Sequence, residues 1–289
     1  MAQVQRSVHE VGGLGLALHP TTSTRLWLPP ERRLIAPTPW EQDLPASRRF
    51  PSGRPTRRGR RRSPIIQVAP TIAQQSYQRP IADSPTGTFS SAMGAGNLVL
   101  LVVVWLGGAG PAYPTSILDS AGNDYSLAIG DGSFITYIYY CLSGAAHAGT
   151  NTVTLNYSGD TAINLWLVEV TGAASWTLGP TAFAPITTPT SFTLAVGPVD
   201  VTSPPAFLAS AVQTASASGG SQATPGSFTN LIGSPVTGDH DAALYDIATT
   251  TGNVTSNSTN SVSSGYSGVL AAFYGASSAP SNSFFFGSD

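Results

Sequence analysis

Two stretches of this 289-residue sequence combine the residue types that acid–base or metal chemistry needs. His240 stands between Asp239 and Asp241 in TGDHDAAL, and Asp119 precedes Asn123 and Asp124 in DSAGND. Carboxylate and amide oxygens bind calcium, and a histidine beside carboxylates can act as a general base. Asp, Asn and Gly are also the residues that β-turns select, and neither stretch has the spacing of a complete calcium loop. We therefore expect solvated turns at both places, with no metal and no cofactor.

Nucleophilic catalysis has little support in the sequence. A Ser-His-Asp triad can be dispersed along a chain, but no G-x-S-x-G elbow accompanies His240 or the second histidine of this region, His147. Cys141, the only cysteine, sits in the apolar run ITYIYYCLSG, where a buried and inert thiol is expected. Glu169 in LWLVEVTG has no evident second carboxylate, which glycoside hydrolysis would require. We predict a protein that is not an enzyme.

Three tyrosines are candidates for a carbohydrate-binding platform. Tyr137 and Tyr139 would share one face of a strand, while Tyr140 would take the other. Because a platform needs its rings on one exposed face, packing inside the fold explains these residues more simply.

The elements that must position these residues follow from a division of charge along the chain. All 13 basic residues are arginines and lie between Arg6 and Arg79, where four acids leave a net charge of +9. The remaining 210 residues contain 11 acids and no lysine or arginine, a net charge of −11. Such an asymmetry predicts a binding partner for the basic segment.

Residues 1–64 are predicted to form an extended arm. Four prolines punctuate the apolar residues of LWLPPERRLIAPTPW, which disfavours helices and central strands, and the spaced aromatic residues Trp27 and Trp40 resemble anchors of a peptide lying on another protein. The arm ends in a run of six arginines suited to phosphate or carboxylate groups: Arg54, Arg57, Arg58, Arg60, Arg61 and Arg62. An out-of-frame reading of a GC-rich gene would also be rich in Arg and Pro, so a translation artefact stays an open alternative.

Residues 65–275 are predicted to form a β-sandwich domain. About a dozen short strand-like runs are separated by turn residues, and Thr152 to Tyr157 alternates between polar and apolar side chains. The run NLVLLVVVW does not alternate, which is typical of a central strand covered on both faces. We expect an all-β, antiparallel two-sheet sandwich of jelly-roll or immunoglobulin-like type. No apolar run approaches the roughly 20 residues of a membrane-spanning helix.

Residues 276–289 are predicted to form a polar C-terminal tail. Phe284, Phe285 and Phe286 would be an aggregation hazard if they were exposed. They either fold back on the sandwich or bind a neighbouring subunit.

The order of several motifs resembles a β-sandwich domain family found in phage virion proteins and exported bacterial proteins. These motifs are AGNLVLLVVVW, DSAGNDYSLAIG, YIYYC, AGTNTVTLNYSG, LWLVEVTGA, PGSFT and GYSGVLAAFYG, which together cover about residues 67 to 275. The resemblance implies a non-enzymatic display or structural module and supplies no catalytic residues. The arm lies outside the resemblance.

These observations predict a bacteriophage virion structural protein, either a capsid decoration (cement) protein or a fibre-like protein on the particle surface. Its expected partners are a major capsid or other virion protein, bound through the arm, and further copies of itself. Non-specific nucleic-acid binding by the arginines is a further possibility, and no membrane partner is expected. One alternative is a bacterial surface or secreted binding module, extracellular or at the cell surface, with carbohydrate as a candidate ligand. A hydrolase on a sandwich scaffold is the least favoured alternative.

Overall fold

The computed structural model describes residues 68–108, 113–131, 136–184, 191–214, 222–223, 228–234 and 241–277. All of them belong to one compact unit of the chain, residues 61–289. Every regular element in this described part is a β-strand, and every strand pair is antiparallel. The prediction of an all-β antiparallel sandwich is therefore confirmed. None of the described residues belongs to a helix that could span a membrane.

The first half of the described fold contains nine strands. Alternation is clearest in β8, where every second side chain is buried, as the sequence predicted. The strands are β1 (Thr71–Gln78), β2 (Ile81–Ala82), β3 (Thr86–Phe89), β4 (Leu98–Gly108), β5 (Ser116–Asp119), β6 (Ser126–Gly130), β7 (Thr136–Cys141), β8 (Asn151–Asn156) and β9 (Thr161–Thr171).

The second half contains eight strands. They are β10 (Ser175–Ala184), β11 (Ser191–Val201), β12 (Ala206–Thr214), β13 (Gln222–Ala223), β14 (Thr229–Asn230), β15 (Ala242–Ala248), β16 (Gly252–Ser264) and β17 (Tyr266–Ala276).

The strands form four sheets, two in each half. Inner sheet 1 has the order β1-β9-β4-β7-β6, with β2 also paired to β9, and outer sheet 1 has the order β3-β8-β5. Inner sheet 2 has the order β10-β17-β12-β15-β14, and outer sheet 2 has the order β11-β16-β13. Position by position, the second half repeats the strand order of the first.

Strand pairs in each half are nested in the manner of a jelly roll. In the first half β1 pairs with β9, β3 with β8 and β4 with β7, so early strands pair with late ones. In the second half β10 pairs with β17, β11 with β16 and β12 with β15. Two antiparallel sheets wound in this way are a jelly roll, the first of the two types that the sequence predicted. We call residues 71–171 the first jelly roll and residues 175–276 the second.

Pairing registers are also equivalent in the two jelly rolls. Val99 near the start of β4 lies opposite Cys141 and Glu169. Ala206 at the start of β12 lies opposite Ala248 and Tyr274. Glu169 and Tyr274 therefore occupy corresponding positions near the ends of β9 and β17.

Three apolar cores separate the four sheets. The central core lies between the two inner sheets, and each jelly roll has an outer core between its own inner and outer sheets. Members of the central core include Leu100, Trp166, Phe207 and Phe273; the first outer core includes Leu101, Tyr137 and Leu155; the second includes Leu194, Leu208 and Leu270. A single two-sheet sandwich was predicted, and the structure extends it to two sandwiches stacked through their inner sheets.

Strand β4 shows why the stack needs a continuous apolar sequence. Leu98, Leu100, Val102 and Val104 pack into the central core, while the intervening residues pack into the first outer core. The prediction that this run forms a central strand covered on both faces is therefore confirmed.

A pseudo-two-fold axis relates the two jelly rolls. Edge strand β10 of inner sheet 2 packs over edge strand β6 of inner sheet 1. At the opposite margin, the Ile232 backbone N–H beside β14 donates a 3.0 Å hydrogen bond to Oε1 of Gln75 in β1. Because β10 corresponds to β1 and β14 to β6, exchanging the two jelly rolls reproduces both contacts. This is the self-complementary geometry of a two-fold dimer, here within one chain.

The start of the first strand, β1, and the end of the last strand, β17, lie on the same side of the stacked sheets. Thr71 in β1 is paired with Thr171, and Ser175 is paired with Ala276, with only three residues between 171 and 175. The backbone N–H of Ala174 also donates to the carbonyl of Ala276 at 2.9 Å.

Corresponding strands of the two jelly rolls run in the same direction. Nε2 of Gln213, near the end of β12, donates a 2.7 Å hydrogen bond to the carbonyl of Trp105, near the end of β4. The starts of β4 and β12 therefore lie together at the opposite end, where the chain enters and leaves. We call this the termini end; its loops are residues 94–97, 119–125, 142–146, 171–175, 201–205 and 248–252, and the other end is the far end.

The connection between the jelly rolls should tolerate no side chain at Gly172. This residue has a φ of +109°, and a Cβ atom there would lie 2.6 Å from the carbonyl oxygen of Ala69. Strain and steric overlap together predict that Gly172→Ala lowers the free energy of unfolding by about 2–4 kcal/mol, measured by urea denaturation.

Gly122→Ala is the matched control. Its φ is +78° and a Cβ atom would meet nothing within 4 Å, so only backbone strain of about 1 kcal/mol is expected. Equal losses in the two variants would contradict the steric role of Gly172.

Candidate functional site

A buried carboxylate holds the loop between the two sheets of the first jelly roll. Glu169 is 1% exposed. Its carboxylate accepts hydrogen bonds from Nε2 of Gln74 at 2.6 Å, the backbone N–H of Gly94 at 2.8 Å and Nδ2 of Asn97 at 2.7 Å. Buried charges need this kind of compensation, and three N–H donors provide it. Glu169 therefore fixes residues 94–97 at the termini end, a structural role that the sequence did not indicate.

The corresponding residue in the second jelly roll performs the same task with different chemistry. The Tyr274 hydroxyl accepts a hydrogen bond from the Thr202 N–H at 3.1 Å and donates to the carbonyl of Asp200 at 3.3 Å. It thereby fixes the loop that leads from β11 to β12. One structural position thus secures the equivalent loop in both jelly rolls.

Asp119 organises the loop of residues 119–125 at the termini end. Its carboxylate accepts hydrogen bonds from the backbone N–H of Ala121 at 2.6 Å, Nδ2 of Asn123 at 3.0 Å and the Tyr125 hydroxyl at 2.6 Å. Burial is the main cause of a raised pKa for Tyr125, and its bond to Asp119 acts in the same direction. The oxygens of Asp119 are thus used inside the loop, in agreement with the predicted turn.

The described residues contain no group of three or more His, Cys, Asp or Glu side chains placed to hold an ion. His147 lies in a bridge with Met93, and its Nε2 contacts the carbonyl of Thr150 at 3.0 Å.

Asp241 was expected in a solvated turn, and for this residue that prediction is wrong. Asp241 is fully buried between the jelly rolls, where Oδ2 accepts a 2.9 Å hydrogen bond from Nδ2 of Asn164. Oδ1 of Asn164 in turn accepts a 2.8 Å bond from the Tyr77 hydroxyl. Because these partners come from β1 and β9, far away in the sequence, the local pattern could not reveal them. Its neighbours Asp239 and His240 lie outside the described residues.

The three candidate platform tyrosines are packing residues. Tyr137 and Tyr139 are buried in the first outer core, where their rings form a T-shaped, edge-to-face pair with centroids 5.7 Å apart, and Tyr137 also hydrogen-bonds Tyr157. Tyr140 faces the central core and contacts Phe273 at 5.7 Å between ring centroids. The predicted division of these three tyrosines between the two faces of the strand is therefore confirmed.

Burial also raises the pKa of Tyr157, the hydrogen-bond partner of Tyr137, to about 12.

Among the described residues, the exposed charged side chains at the termini end are acidic. Asp124 and Asp200 are exposed there, and Asp246 near the end of β15 is half-buried. Neither lysine nor arginine occurs after Arg79, which follows β1 at the far end. The candidate functional site is this acidic end, at which both flanking segments join the fold.

The partner-binding residues predicted from the sequence lie outside the described residues. This applies to Trp27, Trp40 and the arginines from Arg54 to Arg62, and to the tail phenylalanines from Phe284 to Phe286. The structure adds the point at which each segment meets the fold.

Comparisons with protein-family models, with curated proteins and with solved structures found no match to this chain.

Glu169→Gln tests the loop-fixing role. The variant loses charge-assisted hydrogen bonds and turns an amide N–H toward existing donors, so we expect the free energy of unfolding to fall by about 2–3 kcal/mol in urea denaturation. Asp160→Asn removes the same charge from an exposed position and should change it by less than about 0.5 kcal/mol. Similar effects in both variants would show that Glu169 acts only through net charge.

Cys141 should be poorly reactive in the folded protein. Burial is the main cause that raises the pKa of its thiol, so less thiolate is present at any pH below that pKa. At pH 8 we expect iodoacetamide to alkylate the folded protein at least tenfold more slowly than the urea-unfolded protein, as followed by intact mass. Equal rates would contradict an inert thiol.

Proposed function

We propose that this protein is a non-enzymatic structural component of a bacteriophage virion, a capsid decoration or fibre-like protein attached to the particle by its N-terminal arm. The observation that carries the proposal is the position of the termini. Residue 68 and residue 277 both lie at the termini end, so the arm and the Phe-containing tail join the fold on the same side. A body attached there presents its far end to solvent.

The polar residues support a structural role. Glu169 and Asp119, the carboxylates at the termini end with most contacts, bind amide and hydroxyl donors of their own chain. Their hydrogen bonds fix loops, which a particle component needs for a defined attachment surface.

The outer surface of the first jelly roll suits prolonged exposure. Thr86 and Thr88 of β3 lie opposite Thr154 and Thr152 of β8, so these two strands place hydroxyl groups on the outward face of outer sheet 1, beside the exposed Leu118 of β5. Short polar side chains give such a surface little tendency to associate through apolar contact.

The jelly-roll architecture is one that viral capsid proteins use, as do lectins and cupins.

Limited proteolysis of purified particles tests the proposal. Trypsin cleaves after Lys and Arg, and the only such residue after Arg62 is Arg79, whose bond to Pro80 resists the enzyme. Particles from the phage that encodes this protein should contain it at a fixed copy number. Brief trypsin treatment should release one fragment, residues 63–289, into the supernatant, as identified by intact mass.

Two results would overturn the proposal. The protein could be absent from gradient-purified particles, which would exclude a virion role. Alternatively, fragment 63–289 could stay on the particles after complete cleavage at Arg62, which would exclude attachment by the arm. Endoproteinase Lys-C, which requires lysine, is the control because this chain contains none.

A further inference from the structure

We propose that the C-terminal tail, which follows β17, folds back on its own chain and packs along the margin where edge strand β10 lies over edge strand β6. The sequence left two positions open for Phe284, Phe285 and Phe286: the sandwich itself or a neighbouring subunit. The contacts at this margin favour the first and identify the surface. The inference is independent of the virion role.

Large apolar side chains are exposed on both strands of this margin. Phe183 of β10 is 55% exposed, and Leu127 of β6 is 39% exposed. Phe183 lies opposite Val269, a member of the central core, so its side chain is on the face of inner sheet 2 that packs against inner sheet 1. The central core therefore reaches the surface at this margin, where an apolar segment would shield it from water.

A buried indole N–H in the same strand lacks an acceptor. Trp176 is 4% exposed, and its Nε1 has no hydrogen-bond partner among the described residues. Its six-membered ring lies over β17, since Cζ3 and Cη2 are 3.5 and 3.7 Å from the position that a Cβ atom of Gly275 would take. Nε1 is on the other side of the indole, away from β17 and toward the edge of inner sheet 2. Because an unpaired buried N–H costs free energy, a carbonyl brought to this edge would stabilise the fold.

The opposite margin shows how a segment completes such an edge. There, residues 231–234 follow β14 and reach β1 and β9. The carbonyl of Ile232 accepts a 3.0 Å hydrogen bond from Nε1 of Trp166, and its N–H donates to Gln75. The pseudo-two-fold axis relates that margin to the one between β6 and β10. A segment lying there would give Trp176 the acceptor that Ile232 gives Trp166.

The tail begins beside this margin and has the length to follow it. Ala276, at the end of β17, pairs with Ser175, at the start of β10. Phe183 lies opposite Val269, seven residues from Ala276, so it is roughly 23 Å from the start of the tail at 3.3 Å per residue. Phe284 is eight residues beyond Ala276, a distance that an extended chain spans in up to about 26 Å. A tail laid along β10 passes the buried indole and brings its phenylalanines to Phe183.

Two other segments join the fold at different places. The arm continues from β1, the edge strand at the opposite margin. The turn after β6 is at the far end, where Asp131 bonds to Thr136 of β7, whereas Trp176 is near the termini end.

The tether favours the tail of the same chain over the tail of a second copy. A linker of about eight residues holds the phenylalanines near the margin at a roughly millimolar effective concentration, whatever the protein concentration. A second copy would supply its tail only at the concentration of the protein itself. The occupant of the margin is therefore the chain's own tail.

Limited chymotrypsin digestion of the purified full-length protein tests the proposal. Chymotrypsin cleaves after Phe, and cleavage of a native protein tracks the population of the open state. We expect cleavage after Phe284, Phe285 or Phe286 to be at least tenfold slower than in a synthetic peptide of residues 277–289, as followed by mass spectrometry. Cleavage after Phe50, in the arm, is the internal reference for enzyme activity.

Matched variants locate the docking surface. Phe183→Ser removes the exposed ring at the margin and should raise the rate of tail cleavage at least fivefold. Leu127→Ser alters the facing strand and should raise it at least twofold. Ile232→Ser is the control, because Ile232 is 51% exposed but lies at the opposite margin, and should change the rate by less than a factor of 1.5. Thermal denaturation of each variant checks that the body folds.

The indole N–H of Trp176 gives a second measurement. Its resonance in proton–nitrogen correlation spectra is assigned by its absence from Trp176→Phe. This resonance should shift in the variant Phe284→Ser/Phe285→Ser/Phe286→Ser, which weakens docking. The resonance of Trp166, already hydrogen-bonded at the opposite margin, should not shift.

Four outcomes would overturn the proposal. The first is a tail that is cleaved as fast as the peptide. The second is a cleavage rate that Phe183→Ser and Leu127→Ser raise no more than Ile232→Ser does. The third is an unshifted Trp176 resonance in the triple variant. The fourth is protection that increases with protein concentration between 1 and 100 µM, which would assign the tail to a second copy. None of them alters the particle and trypsin test, so failure here is separable from failure of the virion role.

Discussion

The packing of inner sheet 1 against inner sheet 2 leaves both sheets without a solvent-facing side. Each inner strand must therefore be apolar on both faces, and β4 meets this condition with seven consecutive buried residues from Leu98 to Val104. Burial of each such side chain stabilises the fold by about 1.5–3 kcal/mol before chain entropy is counted. Trp166 and Phe273, one from each jelly roll, meet in the same central core. Without this contact, both jelly rolls would expose a broad apolar face.

Within that arrangement, the two jelly rolls differ in composition but share one topology. The first outer core contains large aromatic side chains such as Tyr137 and Tyr157. The second is built mainly from small and aliphatic residues, and the hydroxyls of Ser256 and Ser258 are buried there with no hydrogen-bond partner among the described residues. Since an unsatisfied buried hydroxyl costs free energy, the second jelly roll is expected to be the less stable half.

Sequence patterns predicted the apolar strands well and the polar strands poorly. The strands β4, β8, β9, β12 and β17 carry a burial signal in their own residues, and the predicted runs coincide with them. The sequence patterns do not predict strand β16, because every residue of GNVTSNSTNSVSS except Val254 and Val262 is polar or glycine. It forms because β11 pairs along it, a contact that no local pattern encodes.

The same limit applies to the candidate site. Charge counting along the chain identified the acidic body, but not that Asp124 and Asp200 share one end of it, since jelly-roll pairing brings together residues far apart in sequence. Glu169 and Asp241 lacked evident partners for the same reason: their amide donors lie 72 or more positions away. Repetition of the topology was also invisible, because corresponding strands such as TAINLWLVEVT and YSGVLAAFYGA share a register but few residues.

The three-residue connection between the jelly rolls determines how their contact responds to dilution. A two-fold interface between separate chains dissociates on dilution, because its stability depends on protomer concentration. Joining the partners through Gly172–Ala174 makes the same contact intramolecular, so its occupancy no longer depends on how many molecules are present. Dilution therefore cannot separate the two jelly rolls of one molecule from each other.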